Sequence, residues 1–363
     1  MEHVRQNYQK IFLVYIAFIT AWYFFLAIGQ RMNRAVFSFP EKSIDSRTGQ
    51  MLTSTELRFP SQFQKALEHY AGFGEMYQEE ESTAVPGLSY TRLGDSYSRQ
   101  MVPQGICIAG DYMLITAYDY GRTHNSVIYV LSNRDAQNRR LLTTIELPDQ
   151  NHVGGIAFDG EFIWIAKSTT GYLSALSYDN IRRAVRSGGD SYVPEAYDEQ
   201  LYCGMTASFV EYYAGRLWVG TFRSGIGEKG TLACYHLVEN QGKKELQREN
   251  TMRIPACAQG ITFLEKAGKV YMVLTASRGR YWDSTVYLYE TVIEENSVNL
   301  LRKGYYCFPP MAEELTSDGT NTYFLFESAA TSYSTVRYQK CAYPVDRICA
   351  ISNEKLFAGL LTK

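Results

Sequence analysis

Three glutamates occupy positions where buried carboxyls could act as acid and base. Glu327 directly follows the apolar run FLF, and Glu313 and Glu314 begin the strand before it. Because a carboxylate beside a buried strand is costly unless it is paired, Glu327 predicts either an ion pair with an arginine or a functional group. Two such carboxyls can serve a hydrolase or a lyase as general acid and base. His152, at the start of another strand, could assist them or could be held structurally by hydrogen bonds.

Amide and basic side chains accompany these carboxyls. Gln104 and Gln259 stand directly before Gly105 and Gly260, so they occupy equivalent positions that could bind a ligand or hydrogen-bond neighbouring blades. The run Arg278-Gly279-Arg280 could hold an anion through paired hydrogen bonds, or could neutralise the glutamates. The predicted ligand-binding set comprises Gln104, Asp119, Lys167, Arg223, Gln259, Arg278, Arg280 and Tyr281.

The chain that must position these residues is repetitive. From Val102 onward, units such as GICIAGDYMLI, GIAFDGEFIWIA and GRLWVGTF each indicate a strand, a tight glycine turn and a more apolar strand. The second strands recur at spacings of 50, 54, 53 and 52 residues, measured at Leu114, Trp164, Trp218, Tyr271 and Tyr323. This period predicts an all-β, five-bladed β-propeller. The alternative, a six-bladed ring, would require a degenerate blade from residues 36–82.

The fifth unit ends without an outer strand of its own. Segment 86–97 (PGLSYTRLGDSY) precedes the first inner strand and is the predicted donor, because closing the ring by chain ends removes an exposed sheet edge. Upstream, apolar residues at intervals of three and four predict a helix near 61–80. The predicted organisation is an N-terminal segment over 1–30, a stem over 31–82 and the propeller over 83–363.

Loop lengths predict which face of the propeller carries function. The turns between first and second strands are short, whereas the loops between second and third strands are longer and polar. In an antiparallel blade those longer loops emerge beside the starts of the innermost strands, and binding residues concentrate on loops held by a rigid scaffold. One rim therefore gathers the ligand-binding set and the catalytic candidates, with aromatic surface from Tyr118, Tyr120, Phe222 and Tyr281.

The N-terminal region carries a separate signal. Residues 11–29 (IFLVYIAFITAWYFFLAIG) form an uncharged run of 19 residues, close to the length that crosses a bilayer. They predict a single-pass transmembrane signal-anchor, with the N-terminus in the cytoplasm and the propeller outside the membrane. Ala27-Ile28-Gly29 also satisfies the small-x-small rule for cleavage, so secretion after cleavage is the alternative.

Composition excludes several classes of protein. With 36 Lys+Arg against 38 Asp+Glu the net charge is −2, without the clustered basic excess of a nucleic-acid-binding protein. Phosphate-loop, dinucleotide-binding and zinc-protease motifs do not occur in the strand and helix context that each requires. Neither a cofactor nor a metal is therefore predicted. The sequence has seven cysteines and no C-x-x-C motif. We expect the cysteines to be small buried side chains, or to form one or two disulfides if the compartment is oxidising.

The quoted repeats resemble the β-propeller superfamily that includes lactonase-like and strictosidine-synthase-like proteins. The resemblance covers about residues 86–352 and implies the fold. It also implies a channel metal held by Glu, Asn and Asp, but Gln104, Ala207 and Gln259 stand at the inner-strand starts here. That departure argues against lactonase activity. The layout also resembles membrane-tethered, exported bacterial propellers of unassigned chemistry.

Together these features predict a membrane-tethered, extracytoplasmic propeller that binds a glycan, peptide or protein partner through one polar, aromatic rim. The 29 tyrosines favour binding, because tyrosine combines a large contact area with a polar tip. Two alternatives stay open. One is a hydrolase or lyase that uses the channel carboxylates, and the other is a structural assembly subunit.

Overall fold

The computed structural model describes residues 51–135, 138–225, 227–294, 297–335 and 340–361, together with Thr20, Ile44 and Asp45. Apart from Thr20, the predicted membrane segment 11–29 lies outside the described residues, as does most of 31–50. Among the residues described, no helix is both long and apolar enough to cross a bilayer.

Within residues 51–100, two helices and three strands precede the first blade. They are α1 (Pro60–His69), α2 (Ala71–Met76), β1 (Tyr77–Ala84), β2 (Thr91–Leu93) and β3 (Ser96–Ser98).

The first two blades follow the first two sequence repeats. Blade 1 consists of β4 (Met101–Ala109), β5 (Tyr112–Asp119), β6 (Val127–Ser132) and β7 (Leu141–Glu146). Blade 2 begins with β8 (Val153–Phe158), β9 (Phe162–Lys167) and β10 (Tyr172–Ser177). The chain then forms α3 (Tyr178–Ser187), β11 (Ser191–Tyr192) and β12 (Glu199–Tyr202).

The next two blades are four consecutive antiparallel strands each. Blade 3 consists of β13 (Phe209–Tyr213), β14 (Arg216–Gly220), β15 (Gly230–Asn240) and β16 (Lys243–Ile254). Blade 4 consists of β17 (Ala258–Lys266), β18 (Lys269–Ala276), β19 (Ser284–Ile293) and β20 (Val298–Phe308).

Blade 5 completes the ring. Its consecutive strands are β21 (Ala312–Ser317), β22 (Asn321–Phe326) and β23 (Arg347–Ser352), with α4 (Thr331–Ser334) before β23 and α5 (Asn353–Leu361) after it. The inner strands contact one another in the closed order β4, β8, β13, β17, β21 and back to β4. The molecule is therefore a five-bladed β-propeller, as the period predicted.

The Asp-Gly turns explain how the repeat folds locally. In the β8–β9 turn, Asp159 Oδ1 accepts the Glu161 and Phe162 amides, and Oδ2 accepts the Trp164 indole N–H at 2.7 Å. In the β21–β22 turn, Asp318 Oδ1 accepts two turn amides in the same way, and Oδ2 accepts the Tyr323 hydroxyl at 2.7 Å. One carboxylate thus fixes the turn and satisfies the polar atom of the buried aromatic residue used to measure the period.

Ring closure differs from the prediction. The outer strand of blade 5 is β1, which pairs antiparallel with β23, and segment 86–97 forms most of the small β2–β3 hairpin instead. The donor therefore lies upstream of the predicted one. A β-bulge between Gln78 and Thr83 interrupts the pairing of β1, which removes the regular alternation that would mark a strand in the sequence.

The outer part of blade 2 contains an inserted helix, α3. This helix lies between β10 and β11, where a regular four-stranded blade would continue directly into its outer strand. After α3, β11 pairs in parallel with β7 of blade 1, and only β12 returns to β10. Blade 1 thereby acquires a fifth strand, and the two blades share the insertion.

Residues 58–76 are part of the propeller rather than a detached spacer. Asp346 Oδ2, beside β23, accepts the backbone amides of Arg58 and Phe59 at 2.6 Å each. The Arg347 guanidinium lies 3.8 Å from the centroid of the Phe63 ring on α1. Phe73 on α2 packs against Phe308 of blade 4, with ring centroids 4.9 Å apart. The two helices therefore extend the hydrophobic core of blades 4 and 5.

All seven cysteines fall among the described residues and none forms a disulfide. Six are buried, and Cys307 on the outer strand β20 is exposed. The interpretation of these cysteines as small apolar side chains fits this arrangement.

Candidate functional site

Irregularities at the starts of the inner strands aim polar side chains toward one end of the channel. The pairing register shifts within β4, β8, β17 and β21, but not within β13. Gln104, Gln259, Glu313 and Glu314 all lie inside these shifts. A β-bulge takes a residue out of the regular in–out alternation and re-aims its side chain. The shared bulge position explains why equivalent residues of different blades meet at one mouth.

Glu313 and Glu327 form a hydrogen-bonded carboxyl pair at this mouth. Glu313 on β21 is buried, whereas Glu327, directly after β22, is partly exposed. Gln259 Nε2 donates to Glu313 Oε1 at 2.9 Å, and Gln104 Nε2 donates to Glu327 Oε2 at 2.9 Å. One oxygen of each carboxyl is thus held by an amide from another blade, which leaves the second oxygen for the partner carboxyl.

The pair retains a proton at neutral pH. Two adjacent carboxylates repel each other, and this repulsion favours the state in which one of them keeps a proton. Burial raises the pKa of Glu313 well above its ordinary value, and the charge of Glu327 and the hydrogen bond with it add to the effect. Burial raises the pKa of Glu327 to about 7, opposed by hydrogen bonds to Gln104 and Glu313 and by the Arg280 charge.

His152 extends the hydrogen-bonded chain. Its Nε2 lies 3.0 Å from Gln104 Oε1. Because Gln104 Nε2 donates to Glu327 and to the Pro103 carbonyl, Gln104 Oε1 is the acceptor, and the network assigns the imidazole proton to Nε2. Burial, followed by the charge of Arg122, lowers the pKa of His152 to about 4, so the ring is neutral at physiological pH. The chain runs from Glu313 through Glu327 and Gln104 to His152.

Tyrosines line the side of this chain. The ring centroids of Tyr118 and His152 are 4.0 Å apart, and the hydroxyls of Tyr118 and Tyr333 are 3.5 Å apart. Tyr333 meets Tyr120 edge to face at 5.9 Å between centroids, and the Arg280 guanidinium lies 5.0 Å from the Tyr333 ring centroid. Burial and the charge of Glu327 raise the pKa of both Tyr118 and Tyr333, so both keep their protons at neutral pH.

Glu314 has a structural position although it is adjacent to Glu313. Its Oε2 accepts the backbone N–H groups of Ile106 at 3.0 Å and Ile156 at 2.7 Å, and its Oε1 accepts that of Val210 at 3.4 Å. These amides belong to blades 1, 2 and 3, while Glu314 belongs to blade 5. Burial raises the pKa of Glu314, and the three N–H donors oppose that shift. Glu314 thus ties four blades together at the axis and has no oxygen left for a ligand.

Two members of the predicted ligand-binding set are occupied in structural interactions. Asp119 is buried, and its carboxylate accepts the Ser98 hydroxyl and the Thr123 amide, which fixes the turn after β5. Lys167 is 4% exposed and pairs with Asp149 at 2.6 Å. Each is the last residue of a second strand, and neither side chain has a described contact with the carboxyl pair.

The remaining residues of the predicted ligand-binding set lie either near the carboxyl pair or farther out on the exposed rim. Arg280 is near, because its charge lowers the pKa of Glu327. Arg223 and Arg278 are exposed, and Tyr281 is 65% exposed. Trp282, which the sequence reading did not include, is 64% exposed beside Tyr281.

Tyr333 is the site residue that sequence reasoning missed. It lies on α4, within the long loop after β22 that was placed at this rim. Nothing in the local sequence distinguishes it from the other tyrosines, because its role depends on where the loop folds back. A second omission is Glu211 on β13, whose pKa burial raises to about 8 and whose charge acts on Glu314.

Two surface cavities lie away from this mouth. One, of about 310 Å³, is lined by residues of blade 1 and the closing segment, including Thr83, Arg139 and Thr143. The other, of about 260 Å³, lies beside Asp159, Glu161 and Tyr212. Within the described ranges no group of three or more His, Cys, Asp or Glu side chains is arranged to hold a metal ion.

The fold and site together define a five-bladed β-propeller with a protonated carboxyl pair at one mouth of its channel. No protein-family model matches the sequence, and a search of curated proteins finds no relative. The solved structures to which the chain is similar match it at low identity and with TM-scores below 0.5.

The similar structures have diverse descriptions. Glutaminyl cyclase from Myxococcus xanthus is 11% identical, with 70% of this chain and 91% of that chain covered and a TM-score of 0.40. A functionally unknown protein from Desulfotomaculum acetoxidans is 9% identical, with 75% and 86% covered and a TM-score of 0.42. A putative 6-phosphogluconolactonase from Bacteroides fragilis is 13% identical, with 63% and 65% covered and a TM-score of 0.34.

Proposed function

We propose that this chain is a binding propeller, and that a polar group of a glycan, peptide or protein partner enters the mouth beside Glu327. The observation that supports this most directly is the partly exposed Glu327 carboxyl, joined to Glu313, Gln104 and His152 by hydrogen bonds from three blades. Carboxyl, amide, imidazole and phenol groups converge there on rigid strands, which is the arrangement that orients a ligand. Exposed Tyr120, Tyr281 and Trp282 would supply stacking surface on the surrounding rim.

A second candidate, acid–base catalysis by a hydrolase or lyase, is favoured by the proton that Glu313 and Glu327 share. A general acid works best when its pKa lies near the working pH, and the pKa of Glu327 is raised to about 7. In this role Glu327 would donate the proton and Glu313 would stabilise the resulting carboxylate. Arg280 would hold an anionic part of the substrate.

The test uses the full chain with panels of cell-wall fragments, oligosaccharides and peptides, read by thermal shift and ligand-observed NMR. We expect at least one class to stabilise the wild type and to lose that effect with Glu327→Gln. The matched control, Glu195→Gln, removes the same charge from an exposed loop position of blade 2. Binding that Glu327→Gln leaves unchanged would place the ligand elsewhere, and turnover of a stabilising ligand would favour the catalytic candidate.

We further propose that residues 11–29 hold the propeller at the outer surface of a membrane. The uncharged run of 19 residues supports this assignment. Protease protection and carbonate extraction of the expressed full chain test it, and a shortened soluble product would indicate cleavage instead. An assembly role would appear as loss of function when residues 1–50 are replaced by an unrelated anchor, an exchange that leaves α1, α2 and β1 intact.

A further inference from the structure

We propose that the ligand group bound at this mouth is a protonated primary amine, which displaces the proton shared by Glu313 and Glu327. This inference rests on the proposed binding function and adds the chemical class of the ligand. It follows from three features of the site: the orientation of the two amides, the charge of the pair and the tyrosine wall beside it.

The amide orientation makes the two carboxyls a site for hydrogen-bond donors. Gln259 Nε2 and Gln104 Nε2 each donate to one carboxyl oxygen at 2.9 Å. Gln104 cannot turn its oxygen inward without losing His152, which binds Gln104 Oε1 at 3.0 Å. The two carboxyls therefore offer acceptor oxygens to each other, and one proton now bridges them. An ammonium group carries enough N–H donors to bridge both oxygens at once.

The charge of the site favours a cation. Above about pH 7, where Glu327 is ionised and Glu313 keeps its proton, the pair carries a single negative charge. The neighbouring His152 ring is neutral at the same pH. Arg280 lies over the Tyr333 ring, and its charge lowers the pKa of Glu327 without removing the proton at mildly acidic pH. Among the described residues, the groups that face the pair or lie next to it come from four blades. They are Gln104 and Tyr118 from blade 1, His152 from blade 2, Gln259 and Arg280 from blade 4, and Glu314, Tyr333 and Cys341 from blade 5.

The tyrosines suit the same ligand class. Tyr118 and Tyr333 lie beside the pair with their hydroxyls 3.5 Å apart. Aromatic rings attract cations through their negative faces, and their edges pack against the methylene groups that follow a primary amine. A divalent metal fits less well, because hard cations take oxygen ligands, whereas both glutamines present N–H groups to the pair.

Binding conserves atoms and forms no covalent bond. The free site holds one proton between two carboxyls, and the bound site holds two carboxylates with one ammonium between them. The displaced proton passes to solvent. Above about pH 7, where only Glu313 keeps its proton, each amine bound therefore releases about one proton, and the dissociation constant falls by about tenfold per pH unit. Below about pH 7 Glu327 is protonated as well, so the number of protons released rises toward two.

The experiment measures binding of n-butylammonium to the full chain between pH 7.5 and pH 8.5, where the free pair holds one proton. Ligand-observed NMR gives the dissociation constants, and calorimetry in phosphate and in Tris gives the number of protons released. We expect binding to tighten by up to about tenfold per pH unit, with up to about one proton released. Two further probes separate the causes: 1-butanol has no charge, and tetramethylammonium has the charge without N–H donors. Both should bind at least tenfold more weakly.

Variants test whether Glu327 and Glu313 are responsible for amine binding and proton release. Glu327→Gln should weaken n-butylammonium at least tenfold and remove the proton release, whereas Glu195→Gln should change neither. If Glu327→Gln fails to fold, Glu313→Gln repeats the test. The proton release measured on the wild type tests the proposal without any variant.

The inference fails if n-butylammonium binds no better than 1-butanol, or binds without pH dependence. A neutral glycan or peptide that still binds through Glu327 would leave the proposed function standing and overturn the amine. Failure of every probe and every panel compound would overturn both.

Discussion

At the scale of the residue, the environment of each carboxyl decides what it can do. Glu313 and Glu314 are neighbours in the chain, yet one shares a proton with Glu327 and the other accepts three backbone amides. A carboxylate surrounded by N–H donors is structural, whereas a carboxyl that faces another carboxyl is a proton donor. The sequence predicted a role for both Glu313 and Glu314 but could not separate their roles.

The pH dependence of stability is the first prediction at this scale. The pKa of Glu327 is raised from 4.5 to about 7 in the folded protein, so the folded state binds more protons than the unfolded state between those values. Stability should therefore fall as pH rises from about 4.5 to 7. Urea unfolding at pH 5 and pH 8 should show this fall in the wild type and a smaller one in Glu327→Gln. An unchanged difference between the two pH values in the variant would contradict the assignment.

Glu314→Gln is the second prediction. The substitution turns an –NH₂ group toward amides of Ile106, Ile156 or Val210, which leaves at least one buried donor unsatisfied. We expect the free energy of unfolding to fall by roughly 1–3 kcal/mol, the range for a buried hydrogen-bond donor left without a partner. Glu228→Gln, on an exposed loop of the same rim, should change it by less than about 0.5 kcal/mol.

At the scale of the element, the inner strands combine a bulge with glycine. Gly154 and Gly155 lie inside the β8 bulge, and a Cβ on Gly155 would collide with the Glu314 carboxyl and stand 2.7 Å from the Val210 nitrogen. The glycine therefore makes room for the axial carboxylate. The sequence GG was read only as part of a strand, because close approach between blades leaves no local signal.

Gly155→Ala tests this arrangement. The added methyl must displace Glu314 from its amides, so we expect a loss of roughly 1–3 kcal/mol in unfolding free energy. Gly189→Ala is the control, because its Cβ would approach only the Ser191 carbonyl, at 3.3 Å, in an exposed loop. Chemical denaturation measures both, and equal effects would show that Gly155 has no special packing role.

At the scale of the whole molecule, ring closure depends on a segment that precedes the repeats. β1 covers the outer edge of β23, and α1 and α2 bury Phe63, Phe73 and Met76 against blades 4 and 5. The domain that folds therefore begins well before residue 83. An open β23 edge and an uncovered apolar surface would favour aggregation.

Truncation from the N-terminus tests whether β1 is needed to close the propeller ring. A chain that begins at residue 51 should be monodisperse in size-exclusion chromatography and unfold cooperatively by circular dichroism. A chain that begins at residue 83 should aggregate or lack a cooperative transition, because it loses β1, α1 and α2. Equal behaviour of the two chains would show that β1 is dispensable.

Local patterns in the sequence determined the five blades, the turn aspartates and the rim on which Gln104, Gln259, Glu313 and Glu327 meet. Each of these depends on strand alternation, turn chemistry or loop length within one repeat, so each leaves a local signal. Only the tertiary structure decided that β1 closes the ring, that Asp119 and Lys167 are structural, and that Tyr333 joins the site. It also decided that Glu313 shares its proton with Glu327 while Glu314 holds the axis. These outcomes depend on contacts between blades, where distance and burial set the energies, and no single repeat encodes them.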